Sequence, residues 1–158
     1  MAPDPAAGDA LFRHILFPTD GSKLSVNAAR YAVELARSLG AKLTALHVIA
    51  PYMPPFPDLT GGYAYATGEE EYQRITQDQA EQILGAVGEA ARAANVPFES
   101  VRTVSGTPWD AIVRTAGESG CDAIVMASHG RKGVSALVLG SETIKVLTHC
   151  SIPVLVTR

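Results

Sequence analysis

Apolar positions along this chain alternate between short continuous runs and repeats spaced three and four apart, a pattern that predicts strands interleaved with helices. Residues 13–19, Arg-His-Ile-Leu-Phe-Pro-Thr, read as a first strand, and Asp20-Gly21-Ser22 supplies a turn and a helix cap. The helix that follows repeats Ala28, Tyr31, Ala32, Leu35, Ala36 and Leu39 on one face and stops at Gly40. Residues 42–50 alternate little beyond Lys42 and Thr44, as expected of a central strand covered on both faces. A long helix over about residues 69–95 turns Tyr72, Ile75, Ala80, Ile83, Leu84, Val87 and Ala91 inward, with Gly85 and Gly88 allowing close packing. Residues 98–105 form a third strand. Thr107-Pro108-Trp109-Asp110 then reads as a helix entry, with Thr as cap, Pro at the first helical position and Asp in the first turn. That helix sends Trp109, Ile112, Val113 and Ala116 to the core and closes at Gly120. A fourth strand ends near Ser128, a last helix carries Ile144, Leu147 and Thr148 at helical spacing, and residues 152–157 make a final strand. Pro153, early in that strand, suits a sheet edge.

Five strands strictly alternating with helices imply an α/β fold: a single doubly wound, mostly parallel sheet with helices on both faces, joined by right-handed crossovers. Pattern alone leaves the strand order open. Residues 51–68 interrupt the alternation, because Pro51, Pro54, Pro55 and Pro57 forbid a regular element. A lid, a partner surface and plain flexibility all fit such a loop, with flexibility the preferred reading. Residues 1–10 read as a flexible extension and residues 11–158 as one domain.

Composition narrows the classes. A chain of 158 residues with 47% hydrophobic and 18% charged content has the profile of one soluble globular domain. A net charge of -3 and a pI near 5.8, with basic residues scattered, argue against a nucleic-acid partner. The first residues lack a signal-peptide pattern, and no run reaches the roughly 18 apolar residues of a membrane span, so a cytoplasmic protein without membrane insertion is expected. Cys121 and Cys150 form no CxxC pair and have no metal-ligand spacing to His14, His47, His129 or His149. They read as reduced structural thiols, and no metal site is assigned.

The chemistry concentrates between the fourth strand and the last helix, where Ala127-Ser-His-Gly130 is followed by nine residues and then Gly140-Ser141. Gly130, Gly133 and Gly140 let backbone N–H groups approach a ligand without a Cβ in the way. Ser141 reads as the helix N-cap. The open N–H groups and dipole of that helix start favour a phosphate, the Ser141 hydroxyl can donate to it, and Arg131 and Lys132 add positive charge. Taken singly, each of these residues also fits an ordinary turn or cap. Asp20 can accept from a ribose hydroxyl or a base amino group, or serve only as a turn aspartate. His129 can hydrogen-bond a phosphate or merely end the strand, and no carboxylate at short spacing forms a base–orienter pair with it, so no catalytic residue is assigned. Met126 fits core packing with its backbone at the ligand, and Thr143 lies in the first helical turn, within reach of phosphates or simply solvated. Glu142 suits the helix dipole but would repel a triphosphate, so it is expected to point away.

This spacing resembles the universal stress protein family, whose pattern is G-x2-G-x9-G-[ST]. The likeness includes the strand ending Val125-Met-Ala-Ser-His-Gly130, the closing Ile152-Pro-Val-Leu-Val156, the opening His14-Ile-Leu-Phe-Pro-Thr-Asp-Gly-Ser22 and Leu46-His-Val-Ile49, and it covers about residues 12–158. The chain departs at Ala127, where the pattern has glycine; an extended strand end would accept the methyl freely. The resemblance implies strand order 3-2-1-4-5 and a ligand crevice at the reversal between the first and fourth strands. It further implies adenine-nucleotide contacts at Pro18, Thr19 and Asp20, Val48 beside the adenine, and Met126, Ala127, His129, Gly130, Gly140, Ser141, Glu142 and Thr143 around the rest. ATP with Mg2+ is the implied cofactor, and a homodimer pairing residues 152–157 antiparallel across a two-fold axis the implied assembly. The expected function is regulatory ATP binding in a stress response, with at most slow hydrolysis. The alternative is a nucleotide-free dimeric interaction module. An ATP pyrophosphatase or adenylyl transferase is disfavoured, because the chain has no SGGxDS loop, HIGH or KMSKS sequence, or Walker A motif.

Overall fold

Nine elements alternate along the chain in a computed structural model that describes residues 10–54, 68–129 and 139–158. They are β1 (His14–Pro18), α1 (Lys23–Leu39), β2 (Lys42–Ile49), α2 (Glu69–Ala93), β3 (Phe98–Val104), α3 (Pro108–Glu118), β4 (Ala123–Ala127), α4 (Ser141–His149) and β5 (Val154–Thr157). All four strand pairings are parallel, in the order β3-β2-β1-β4-β5. The doubly wound five-stranded sheet and its 3-2-1-4-5 order are thus as expected. The expected extension at 1–10 falls almost wholly outside the described residues, as do residues 55–67 of the proline-rich stretch.

Strand alternation sorts the core into two layers. Ile15 and Phe17 of β1, with Leu43, Ala45 and Val125, pack against Ala28, Ala32 and Ala36 of α1 and Leu84, Val87 and Ala91 of α2. Leu16, Leu46, Ile124 and Met126 face the other way, toward Ile112 and Ala116 of α3 and Val146 of α4. Each central strand therefore buries both of its faces, which is why these strands read as continuous apolar runs rather than as alternating ones.

Small residues set the helix approach. A Cβ on Gly88 would lie 2.9 Å from Cε1 of the Phe98 ring, so glycine there lets α2 approach β3 without displacing that ring. Gly85, by contrast, faces open space. Ser22 caps α1, its side chain accepting from the Ser25 N–H at 3.3 Å, and Gly40 ends the helix in the left-handed region at φ 63°.

Two expectations of side-chain facing need correction, and the phase of α4 is a further finding. Tyr31 is 56% exposed, because α1 presents Ala28, Ala32, Val33 and Ala36 to the sheet and the tyrosine falls on the flank of that stripe. Ile75 is exposed, since only the later turns of α2 contribute buried residues. In α4 the buried positions are Thr143 and Val146, which leaves Ile144 and Leu147 exposed; the helix is rotated by about one residue from the phase that its apolar spacing indicated.

At the amino end of the sheet, His14 Nε2 lies 2.7 Å from the hydroxyl of fully buried Thr44. Asp122 accepts the backbone N–H groups of Arg13 and His14, at 2.8 and 3.0 Å. Burial, then the Lys42 charge, hold the His14 imidazole below its ordinary pKa of 6.5, with Glu99 and Asp122 opposing. The unfolded chain thus takes up this proton first as the pH falls. The contribution of His14 to stability is complete above about pH 6.5 and is lost as the pH drops through the lower folded value. Melting temperatures compared at about pH 7.5 and about pH 5.5 should fall more for the natural chain than for His14→Gln, and equal slopes would contradict this assignment. Burial likewise pushes the Cys121 thiol up to about 11, so it stays protonated and inert; Cys121 and Cys150 are both free thiols.

Candidate functional site

The carboxyl ends of β1 and β4 are neighbours in the sheet, yet α1 leaves β1 on one side while α4 follows β4 on the other. Connections that diverge in this way open a crevice between them. Here it has a volume of about 540 Å³ and is lined by Pro18 at the end of β1 with Thr19 and Asp20 just after it, by Leu46 and Val48 of β2, and by Met126 and Ala127 of β4 with His129 just beyond. The start of α4 closes the far wall with Gly140, Ser141, Glu142 and Thr143. Every described member of the set expected from sequence therefore lies in one place. Gly130, with Arg131, Lys132 and Gly133, lies outside the described residues.

The β1–α1 turn is rigidly tied. The buried Thr19 donates its N–H to the Leu46 carbonyl at 2.8 Å, and its own carbonyl accepts from His47 Nδ1 at 2.8 Å. Its hydroxyl accepts from Ser25 Oγ at 2.6 Å and from the Gly21 N–H at 3.2 Å. Asp20 Oδ1 accepts the Ser22 N–H at 3.0 Å, so the carboxylate both shapes the turn and stands at the crevice.

The β4–α4 side follows different rules from those that glycine spacing suggested. Ala127 closes β4 in extended backbone opposite Thr157, so its methyl carries no strain there, as expected. Gly140 is the helix N-cap at φ -61° and ψ 150°, while Ser141 is the first residue of α4 rather than its cap. The Gly140 N–H donates to the Ser128 carbonyl at 2.8 Å and so is spent within the protein. A Cβ at this position would lie 3.3 Å from the Ser128 oxygen and 3.4 Å from His129 Cα. Glycine at 140 thus relieves a tight approach to the Ser128 carbonyl where the chain closes on itself, rather than baring an amide for a ligand. Thr143 also turns inward, its hydroxyl donating to the carbonyls of Ala127 and Ser128 at 3.2 Å each.

Two features of this wall remain open to a ligand. No side chain caps α4, and among the described residues nothing accepts from the N–H groups of Ser141, Glu142 and Thr143, the helix-start donors that have no partner inside a helix. Beside them, His129 has its Nδ1 3.0 Å from Ser128 Oγ, while its Nε2 is buried with no hydrogen-bond partner among the described residues. Where the Ser128 hydroxyl donates to Nδ1, Nε2 carries the proton and is a donor without an acceptor; in the other tautomer Nε2 is an acceptor.

Glu142, expected to point away from the triphosphate, instead lies on the crevice wall. Its Oε2 accepts the N–H of Trp109, the second residue of α3, at 2.8 Å. Thr107 contributes no side-chain cap, contrary to expectation, and this carboxylate serves instead. The Trp109 ring also packs on His149, the last residue of α4, with ring centroids 4.4 Å apart, so the start of α3 is tied to both ends of α4.

Sequence reasoning missed the part of the lining contributed by Ser105, Gly106 and Pro108. The signal was available in part, since Ser-Gly-Thr-Pro follows a strand's carboxyl end, where α/β sheets gather their ligands. It was read only as a helix entry.

Crevice and sheet order together define a doubly wound α/β domain with a cleft at its switch point, and comparison with known proteins identifies its family. The sequence model of the Universal stress protein family matches residues 11–158, and the chain belongs to that family. It is 32% identical over 148 residues to a universal stress protein of Thermus aquaticus, spanning 94% of this chain and 100% of that one. The structure of MJ0577 from Methanocaldococcus jannaschii shares the fold, with a TM-score of 0.73 and 23% identity, covering 92% of this chain and 94% of that one. A universal stress protein solved in complex with cAMP has a TM-score of 0.65 and 25% identity, covering 93% of this chain and 97% of that one. Among the described residues, no helix is long and apolar enough to cross a membrane.

Proposed function

We propose that this protein is a cytoplasmic regulatory member of its family that binds an adenine nucleotide, ATP with Mg2+ included, in the crevice between β1 and β4. The observation that carries the reading is the pairing of an unpartnered, buried His129 Nε2 with the open N–H groups at the start of α4. An unsatisfied buried donor costs about 1–3 kcal/mol, and a phosphate oxygen is the acceptor best suited to both groups at once. The phosphates then sit against Ser141, Glu142 and Thr143, and the adenosine extends toward Asp20 and Val48, which also line the crevice. The cAMP complex of a family relative supports the ligand class. Among the described residues no cluster of His, Cys, Asp or Glu would hold a metal by itself, so Mg2+ enters as the complex with the triphosphate. The bound nucleotide biases the shape of the crevice walls or a dimer formed through β5, a sheet edge whose Leu155 is 48% exposed. Any hydrolysis is slow, because among the described residues no side chain is assigned as a general base.

Mass spectrometry of nucleotide released from freshly purified protein, with sedimentation before and after its removal, tests the proposal. Release of an adenine nucleotide from a dimer is the expected result. An empty protein that also gives no calorimetric signal with millimolar ATP would make it an interaction module instead.

A further inference from the structure

We infer that Glu142 makes the crevice sensitive to the charge of its nucleotide, favouring a monophosphate or a magnesium-complexed triphosphate over free triphosphate. The inference rests on the nucleotide reading above and names the phosphate class that the site takes. Two helices begin at this crevice, since Pro108 of α3 and Ser141 of α4 both line it. Each start carries partial positive charge and donors without partners. They are not equivalent. The Trp109 N–H at the start of α3 is taken at 2.8 Å by a carboxylate from the first turn of α4. One of the two anion-attracting ends is thereby neutralised from within, and the carboxylate that neutralises it stands in the same turn as the amides left for phosphate.

Among the described residues, nearby charge does little to offset it. Lys145 Nζ approaches Glu142 Oε1 at 3.5 Å, but the two side chains are 48% and 37% exposed, so water screens the pair. Among the described residues, no lysine or arginine lines the crevice. Repulsion from Glu142 therefore grows with each added phosphate charge. Mg2+ on a triphosphate removes most of the excess, and a single phosphate brings little of it.

Calorimetric titrations with AMP, MgATP and ATP in EDTA, on the natural chain and on Glu142→Gln, test the inference. Glutamine retains an oxygen for the Trp109 N–H, so α3 keeps its cap. The natural chain should bind free ATP about tenfold more weakly than MgATP, a gap that Glu142→Gln should shrink to about twofold while changing AMP affinity by less than about threefold. An unchanged gap, or equal shifts for all three ligands, would overturn the inference and leave Glu142 a purely structural cap. Should the variant fail to fold, added KCl decides: it should narrow the gap in the natural chain, and a gap that does not narrow overturns the inference. Failure of the natural chain to bind either AMP or MgATP would instead overturn the nucleotide reading itself.

Discussion

A Gly140→Val variant is expected to lose at least about tenfold in adenine-nucleotide affinity, equivalent to about 1.4 kcal/mol, and to be less stable than the natural chain by about 1–3 kcal/mol. The backbone at Gly140 is ordinary, with φ -61° and ψ 150°, so conformational strain is not the cause. The cause is space. A Cβ there already presses on the Ser128 carbonyl at 3.3 Å and on His129 Cα at 3.4 Å, and the branched methyls of valine reach further. The segment must shift, and with it go the Gly140–Ser128 hydrogen bond and the spacing between His129 and the amides of α4. Ser141→Leu is the informative contrast. Ser141 is exposed and begins the helix, so leucine there should fill the mouth of the crevice and weaken binding while the melting temperature stays within a few degrees. Calorimetry with MgATP and thermal unfolding on both variants separate the effects. Full affinity in Gly140→Val would mean that the ligand does not use this wall.

The largest loss of stability is expected from Phe17→Ala, about 3–5 kcal/mol. Phe17 is fully buried in the central strand, where it packs in the layer that α1 and α2 cover. Alanine would leave a cavity that neighbouring strands, held in register on both sides of β1, cannot collapse to fill. The following residues, Pro18 to Asp20, form one rim of the crevice, so ligand affinity should fall with stability. Tyr31→Ala, despite removing another large ring, should cost less than about 0.5 kcal/mol, because Tyr31 is 56% exposed. Urea unfolding measures both, and similar midpoints for the two variants would contradict the packing described here.

Tyr31 and Phe17 also mark how far sequence alone reaches. Phe17 sits in an apolar run, and in a parallel sheet both faces of such a run are covered, so its burial needs no knowledge of the fold. Helical spacing reveals that a stripe exists but not its phase or width. Tyr31 on α1 and Ile144 and Leu147 on α4 fit the period and still face outward, because a short helix on one face of a sheet buries only the residues directly beneath it. The candidate site divides in the same way. Ala127 to His129 and Gly140 to Thr143 are legible because each cluster is local, and the strand that ends at Ala127 hands the chain to the helix that begins at Ser141. Glu142 at the start of α3 is not legible, since 33 residues separate it from Trp109 and only the sheet order brings them together. Gly140 is a mixed case: its place was evident, but its reason, the Ser128 carbonyl pressed against it, lies in tertiary packing.

The central claim is that the open amides at the start of α4 receive a phosphate. Nuclear magnetic resonance of the nitrogen-15-labelled chain during a titration with MgATP tests it most directly. The backbone amides of Ser141, Glu142 and Thr143 and the His129 ring nitrogens should shift together and saturate together, whereas the Gly140 amide, already held by Ser128, should move least. Saturable binding that leaves those three amides and His129 unmoved would contradict the account.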